Sequence, residues 1–469
     1  MMGDYPATRI LATLGRSNLV PAILFRSARK QCDEDIERLA DFRAVQLDTP
    51  QRERIQREID QVCQKYSFDR TVIEAHPHYQ ALLITGAGAH HAGQLLAWRL
   101  LLEELMSRGV MRMLIATGTV AAGVDFPART VVITSHSKRG NEGFNILTSA
   151  EFQQMSGRAG RRGKDAVGFC LVAPSRFCDA RVINEVTKKP PEPLRSAYFA
   201  SPSTVLNLLK FRSIDELRYT VSKSLAAYLD RKHAKVLTTE AQQAEEELAS
   251  SKLVGQNRKK AEKRVRRKFR EAEDLAAHQE RALEETLVGL RALGHLDEQG
   301  LTPKGLWAAE LCTTLVLELA EAVEMDLFYN LGVYELAGLV GSIAGDSHRS
   351  YYHLGTNPLP KELFFKMEQA IQRVRTSTSR SVSADLRALP DAALTIITWM
   401  SARDWHEFSS LLRLAGVAEG DVARLVTQTA DHLNQISKLQ ESHPDLARMA
   451  YDARKLLLKP PLSEAYITD

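Results

Sequence analysis

The feature that most constrains this chain is a change of rhythm between its first and later parts. From Val20 to Ala173, short β-type runs (VPAILF, MRMLIAT, TVVIT, VGFCLVA) alternate with stretches of helical period such as Ser27 to Phe42 and Gln94 to Arg108. Parallel strands cannot be joined by a tight turn, so this alternation predicts βαβ units and a parallel sheet covered by helices on both faces. The rhythm stops at KKPPEP, Lys188 to Pro193. Prolines at 190, 191 and 193 neither continue a helix nor donate to a sheet, so a domain boundary is expected there. Everything beyond reads as helical except a hairpin expected at LDEQGLTPKG, Leu296 to Gly305. A helix on each side of a Gly-containing hairpin predicts a winged-helix module. At 469 residues the chain is too long for one core. The expected architecture is an α/β lobe over 1–190, a winged-helix module over 191–310 and a helical bundle over 311–469.

Charge is nearly balanced, with 62 Lys+Arg against 58 Asp+Glu and a formal net charge of +4, so affinity for nucleic acid has to come from local patches. Five cysteines, an odd number without a Cys-x-x-Cys pair, argue against a disulfide framework or a zinc site. MMGDYPATRI has no apolar signal core, and no run of about 18 apolar residues occurs. A reducing, cytoplasmic setting is the expectation, with no membrane partner.

Lys235 to Glu285 is poor in apolar residues and is expected to be a charged helical insertion. Its first part is acidic, EAQQAEEELA, and its second basic, RKKAEKRVRRKFR. A solvated hairpin with charges pairing between its arms is one reading; a phosphate-backbone contact or a protein partner is the other.

QMSGRAGRRG, Gln154 to Gly163, holds Arg158, Arg161 and Arg162 with no acid among them. Guanidinium groups stay charged, so clustering them costs repulsion unless an anion arrives, and phosphate is the first candidate. If SAEFQQMSGRAGR is one helix, Arg158 and Arg161 share a face and one polyphosphate can reach both. A surface salt-bridge cluster is the alternative. His90 and His91 are poor metal candidates, because adjacent side chains diverge and no Cys, Asp or Glu lies at ligand spacing. Trp98, Trp307, Trp399 and Trp405 could stack on bases, but core packing is expected for each.

Read in order, HHAG, ATGTVAAGVDFPARTVVI and QMSGRAGRRG resemble the second RecA-like lobe of a superfamily-two helicase, of the DExH kind associated with superkiller and exosome complexes. The resemblance continues through SPSTVLNLLKFRSIDELRYTVSKSLAAY, similar to that family's link into its winged helix, and FSSLLRLAGVAEGDVARLVTQTADHLNQI, similar to its C-terminal ratchet helix. It implies that Arg158 and Arg161 are arginine fingers for the γ-phosphate of ATP, with Gln154 on the same phosphate. Gly123 and Asp125 fall in the motif that couples nucleotide to strand. Thr117 and Thr119 match hydroxyls on the strand backbone, His90 and His91 the HHxG turn at the nucleic-acid channel, and Arg424 a strand contact on the ratchet helix. Gly118 stands where the family usually has glutamate, and Asp125 where it often has asparagine.

Hydrolysis by such machinery needs G-x-x-x-x-G-K-[ST] and an acidic Mg²⁺ site such as D-E-x-H, and this sequence contains neither. The expectation is therefore the C-terminal portion of an ATP-dependent nucleic-acid helicase, with ATP and Mg²⁺ as cofactors. A first RecA-like lobe, in cis or trans, would supply the P-loop, the strand would be single-stranded RNA or DNA, and the isolated chain would be inactive. The competing reading is a non-catalytic nucleic-acid-binding or adaptor protein derived from a helicase.

Overall fold

A computed structural model describes residues 5–118, 126–140, 143–173, 175, 177–193, 196, 198–251, 254–378 and 385–462. Among the described residues there are seven strands: β1 (Ala22–Arg26), β2 (Ala87–His90), β3 (Met113–Thr117), β4 (Thr130–Ile133), β5 (Ser137–Gly140), β6 (Gly143–Ile146) and β7 (Phe169–Val172). Five form a parallel sheet in the order β2-β3-β1-β4-β7, with Ala22 opposite both Met113 and Thr130. β5 and β6 form a separate antiparallel hairpin.

The period of two decides what each strand packs against. Ala22 and Leu24 of β1 join a core cluster with Leu11, Ile36, Leu39, Met113 and Ile115. Ile23 and Phe25 point the other way, into a cluster with Leu114, Trp98, Leu101 and Leu105. Both faces are thus roofed by helices, which is why Ala22 to Phe25 is an unbroken apolar run. This is the α/β lobe expected from the sequence, and the chain after it is mostly helical.

Past the prolines come the helices Pro202–Leu209, Ile214–Ser222, His278–Ala292 and Pro303–Ala308. The expected hairpin is a single antiparallel bridge between Leu296 and Leu301, closed by Gly300 at φ +135°. The charged segment is two long helices, Leu225–Ser250 and Gly255–Ala276. The first arm starts earlier than expected, because Ser224 caps it through the Ala227 N–H and no breaker follows. Ala234, Ala241, Val265 and Ala272 are among its buried residues, small enough for the arms to lie close.

The last region is a bundle around Val333–Ala344, a helix buried almost all round. A Cβ on Gly338 would stand 2.6 Å from Ile397, and one on Gly341 2.6 Å from Ile396, so these glycines let the helix Pro390–Ser401 approach. Trp399, Trp405 and Phe408 pack together beside it. Among the described residues, no helix is long and apolar enough to cross a membrane.

Candidate active site and nucleic-acid interface

Parallel strands end together, and the crevice beyond their carboxyl ends is where open α/β sheets take ligands. Here a cavity of about 310 Å³ opens beyond β1, β3 and β4, lined among others by Arg26, Ser27, Thr117, Gly118, Lys138 and Gln154. Its floor is apolar (Phe25, Ile133, Leu147, Met155) and its rim is polar.

Gln154 comes from the helix Ser149–Ser156, whose start is closed by a capping box. The Glu151 N–H donates to Thr148 Oγ1 at 3.2 Å, and the Thr148 N–H to Glu151 Oε2 at 2.9 Å. Glu192 adds a carboxylate at the same end, accepting from the N–H groups of Ser149 and Ala150, both at 3.1 Å. Glu151 also pairs with Lys138 of β5, tying the hairpin to this helix.

The helix stops at Ser156 with Gly157 as its C-cap, so Arg158 and Arg161 do not share a helical face. That expectation is corrected, and the reason is tertiary. The Ala128 N–H donates to Arg158 O at 2.9 Å and the Gly160 N–H to Ala128 O at 2.7 Å, which draws the chain off the helix and onto the approach to β4. Gly160 turns there at φ +92°. Gly168 closes the loop from below, where a Cβ would stand 2.4 Å from the Ala159 carbonyl. Both arginines therefore leave a pinned loop.

The expectation that these arginines lack an acid is also corrected. A single turn, with the Asp165 N–H on Arg161 O at 2.9 Å, brings Asp165 beneath Arg161. Arg161 Nε donates to Oδ2 at 2.7 Å and Nη2 to Oδ1 at 2.9 Å. The hydrogen bonds from Arg161 hold the Asp165 carboxyl down to about 2, against the opposing effect of burial. Arg129 Nε, itself buried without a hydrogen bond, sits 3.9 Å from the same carboxylate.

Thr117 ends β3 at the cavity and Gly118 follows on its rim. A Cβ on Gly118 would meet nothing within 4 Å, so the departure from glutamate reflects no crowding. Thr119, Gly123 and Asp125 lie outside the described residues.

His90 and His91 are buried, at 4% and 3% exposure, in and just after β2. His90 Nε2 meets Glu103 at 2.7 Å. His91 Nδ1 accepts the Gly93 N–H at 3.1 Å, which leaves Nε2 to donate to Asp33 Oδ1 at 2.9 Å. Asp33 also accepts from Gln94 at 3.0 Å, and Gln94 reaches His76 at 2.6 Å, which stacks on Trp98 at 3.8 Å. Burial lowers the His76 pKa well below the usual imidazole range, so it is neutral. In this arrangement the two histidines brace the turn from beneath. Among the described residues, no group of three or more His, Cys, Asp or Glu is placed to hold a metal ion.

That turn carries the bundle. The Gly420 N–H donates to Gly93 O at 3.0 Å, and a Cβ on Gly420 would stand 2.5 Å from Gln94 O. Asp421 accepts Arg29 Nη1 on both oxygens at 2.9 Å, with Arg349 3.8 Å away. Arg424 follows one turn along the helix Glu419–Ile436 and is exposed.

Trp98, Trp399 and Trp405 are core residues, at most 2% exposed. Trp307 is half-buried, edge-on to His443 at 4.8 Å. In the charged hairpin, Lys268 reaches across to Glu240 at 3.1 Å, whereas Lys259, Lys260, Arg266 and Arg267 are exposed.

Sequence reasoning overlooked Asp165, Asp33, Asp421, Arg26 with Ser27, and the β5–β6 hairpin with its exposed Phe144 and Ile146. The i, i+4 spacing of Arg161 and Asp165 could have flagged the first. The Asp33–His91 and Arg29–Asp421 pairs join distant parts of the chain and leave no local signal.

Comparison with known proteins relates the chain to helicases. Residues 79–163 match the family described as "Helicase conserved C-terminal domain", and residues 298–465 the "DSHCT (NUC185) domain". "Probable helicase HelY" of Mycobacterium tuberculosis is 31% identical over 219 residues, covering 47% of this chain and 24% of its own length. "DExH-box ATP-dependent RNA helicase DExH15 chloroplastic" of Arabidopsis thaliana is 33% identical over 234 residues, 45% of this chain and 19% of its own. "Exosome RNA helicase MTR4" of Homo sapiens is 30% identical over 217 residues, 46% and 20%. The chain thus spans only 19–24% of the length of these curated relatives.

Proposed function

We propose that this chain, which carries the C-terminal part of a superfamily-two helicase of the superkiller and exosome-associated type, works as the arginine-bearing half of an ATP-driven RNA helicase. A first RecA-like lobe, in the same polypeptide or another, supplies the phosphate cradle and the Mg²⁺ ligands that this sequence does not contain. ATP supplies the phosphoanhydride bond whose cleavage drives movement along a strand.

The observation that carries this reading is the placement of Gln154 on the cavity beyond β1, β3 and β4, with Arg158 and Arg161 leaving the loop that follows it. An amide, hydroxyls and guanidinium groups suit a terminal phosphate, and the apolar floor excludes water from one side. Arg161 has to exchange Asp165 for the nucleotide, and the pinned loop limits how far its backbone moves while it does so. Arg424, Thr117 and Thr119 take the strand. Relatives whose names specify RNA favour RNA as substrate. Arginines held ready on a fixed loop favour this reading over a non-catalytic adaptor, which has no use for them.

The test is reconstitution. The isolated chain is expected to turn over no ATP above background, with or without RNA. Mixing or fusing it with a P-loop-bearing first lobe of a helicase of this type should give RNA-stimulated turnover that Arg158→Ala abolishes. Robust turnover by the isolated chain, or reconstituted turnover indifferent to Arg158→Ala, overturns the proposal.

A further inference from the structure

The helix Arg29–Asp41 starts directly after β1 and sends three of its charged side chains to three different places. Asp35, its side chain 5% exposed, accepts Arg26 Nε at 2.7 Å, and Arg26 lines the cavity beyond the strand ends together with Ser27. Asp33 accepts His91 and Gln94 of the turn after β2, at 2.9 and 3.0 Å. Arg29, one turn before Asp33 and on the same face, donates Nη1 to both oxygens of Asp421 at 2.9 Å. One helix therefore joins the rim of the cavity, the turn that supports the bundle and the start of the helix Glu419–Ile436.

The link to Asp421 differs from the other two, because its acid lies between two guanidinium groups. Arg349, in the loop that follows the helix Val333–Ala344, has Nε 3.8 Å from Asp421 Oδ1 and 3.4 Å from Asp346 Oδ2. Asp346 is itself fixed, its N–H donating to the Tyr351 hydroxyl at 2.8 Å. The Asp421 side chain is only 9% exposed, so a withdrawal of Arg29 with no other cation at hand would leave a buried, unpaired carboxylate. Arg349 supplies that cation from within the bundle. Asp421 thus has two discrete partners, one from the lobe and one from its own module. Beside the pair, the Gly420 N–H on Gly93 O at 3.0 Å is the backbone tie that such an exchange loads or releases.

We propose that Arg29 and Asp421 are positioning residues that carry the nucleotide state of the cavity to the helix Glu419–Ile436, with Arg349 taking Asp421 when Arg29 withdraws. The proposal rests on the helicase reading and gives neither residue a contact with strand or nucleotide. Nucleotide entering beside Arg26 and Ser27 moves the helix Arg29–Asp41, because Asp35 holds Arg26 and the first turn follows Ser27 almost directly. Arg29 then either keeps Asp421, holding the bundle helix against the lobe, or yields it to Arg349, which frees that helix. A contact with two discrete arrangements is what turns a small shift at one site into a change in the position of a packed helix.

Two measurements test it. In the full chain, amide hydrogen exchange of the segment around Gly420 reports the contact between lobe and helix. Arg29→Met keeps the aliphatic stem and removes the charge, and is expected to speed that exchange about tenfold at an unchanged melting temperature. Arg29→Lys should restore most of the protection. If Arg29→Met lowers the melting temperature, Asp421→Asn, which keeps the shape of the side chain, takes its place with the same expected result. Arg349→Met should leave the exchange as slow as in wild type or slower, because it removes only the competing partner. A static ion-pair cluster loses protection from either arginine, and that result overturns the proposal, as does wild-type exchange in both Arg29→Met and Asp421→Asn. The second measurement adds a P-loop-bearing first lobe. Strand-free ATP turnover by Arg29→Met should stay within about twofold of wild type, while its stimulation by saturating single-stranded oligouridylate falls about tenfold. Arg29→Lys should recover the stimulation, and Arg349→Met should lose it, since Asp421 then has no partner to move to. If wild type and Arg29→Met are stimulated equally, the coupling is wrong and the helicase reading stands. If reconstituted wild type turns over no ATP, the helicase reading falls and the coupling with it.

Discussion

The Arg161 guanidinium and the Asp165 carboxylate form a two-pronged pair, Nε to Oδ2 at 2.7 Å and Nη2 to Oδ1 at 2.9 Å, and the Arg161 N–H adds a third bond at 3.0 Å. The Asp165 side chain is only 2% exposed, so water competes little for it. An arginine proposed to act on a nucleotide thus rests on an internal substitute for phosphate, and it can be drawn away only by an anion that offers comparable hydrogen bonds.

With a first lobe present, Arg161→Ala is expected to lower kcat about 10³–10⁵-fold while strand affinity stays within about twofold, because a finger acts on charge that develops mainly in the transition state. Steady-state ATPase assays paired with strand titrations check this. A variant that loses strand affinity and keeps kcat assigns the arginine to a strand phosphate instead.

Asp165→Asn tests the pair as a stabilising element. The carboxyl is held at about 2, below its ordinary 3.8, so the folded state binds fewer protons than the unfolded one in that interval. The contribution is complete above about pH 4 and fades as pH falls towards 2. The variant should be less stable than wild type by about 1–3 kcal/mol at pH 7, and the difference should shrink as the medium is acidified through that window. Denaturant unfolding at a series of pH values gives the comparison.

Neutralising Lys259, Lys260, Arg266 and Arg267 to Gln should flatten the salt dependence of strand binding and weaken it equally for all sequences, since these four side chains are exposed. Melting of the fold should hardly move, because exposed charges contribute little to stability. An unchanged salt slope makes the hairpin a solvated arm.

Gly420→Val places a side chain where the Gln94 carbonyl already stands, 2.5 Å from a Cβ. A loss of about 1–3 kcal/mol is expected from the overpacking, together with greater protease sensitivity between lobe and bundle. Thermal melting and limited proteolysis report the two effects. A variant as stable as wild type shows that the two helix starts do not need this approach.

Much of this architecture is local in origin and was therefore legible. Ala22 to Phe25 is an unbroken apolar run because both sheet faces are covered, and that run reads directly as a buried parallel strand. The prolines at 190, 191 and 193 end the alternation for reasons of backbone chemistry alone. The stretch QMSGRAGRRG keeps Gln154, Arg158 and Arg161 close in the chain, and the structure puts Gln154 on the cavity with both arginines in the loop that follows. What the sequence could not decide was where those side chains point. A helix carrying both arginines is compatible with its composition, and the helix ends at Ser156 because Arg158 and Gly160 find partners on Ala128. The same holds for His90 and His91, adjacent in the chain but bound to different carboxylates, Glu103 and Asp33. It holds also for Asp421, whose pairing with Arg29 joins residues far apart in the chain. Strand and helix periods are set within a few residues, whereas the partner of a charge is set by whatever the fold brings beside it. Only the tertiary structure could say which acid each of these side chains would meet.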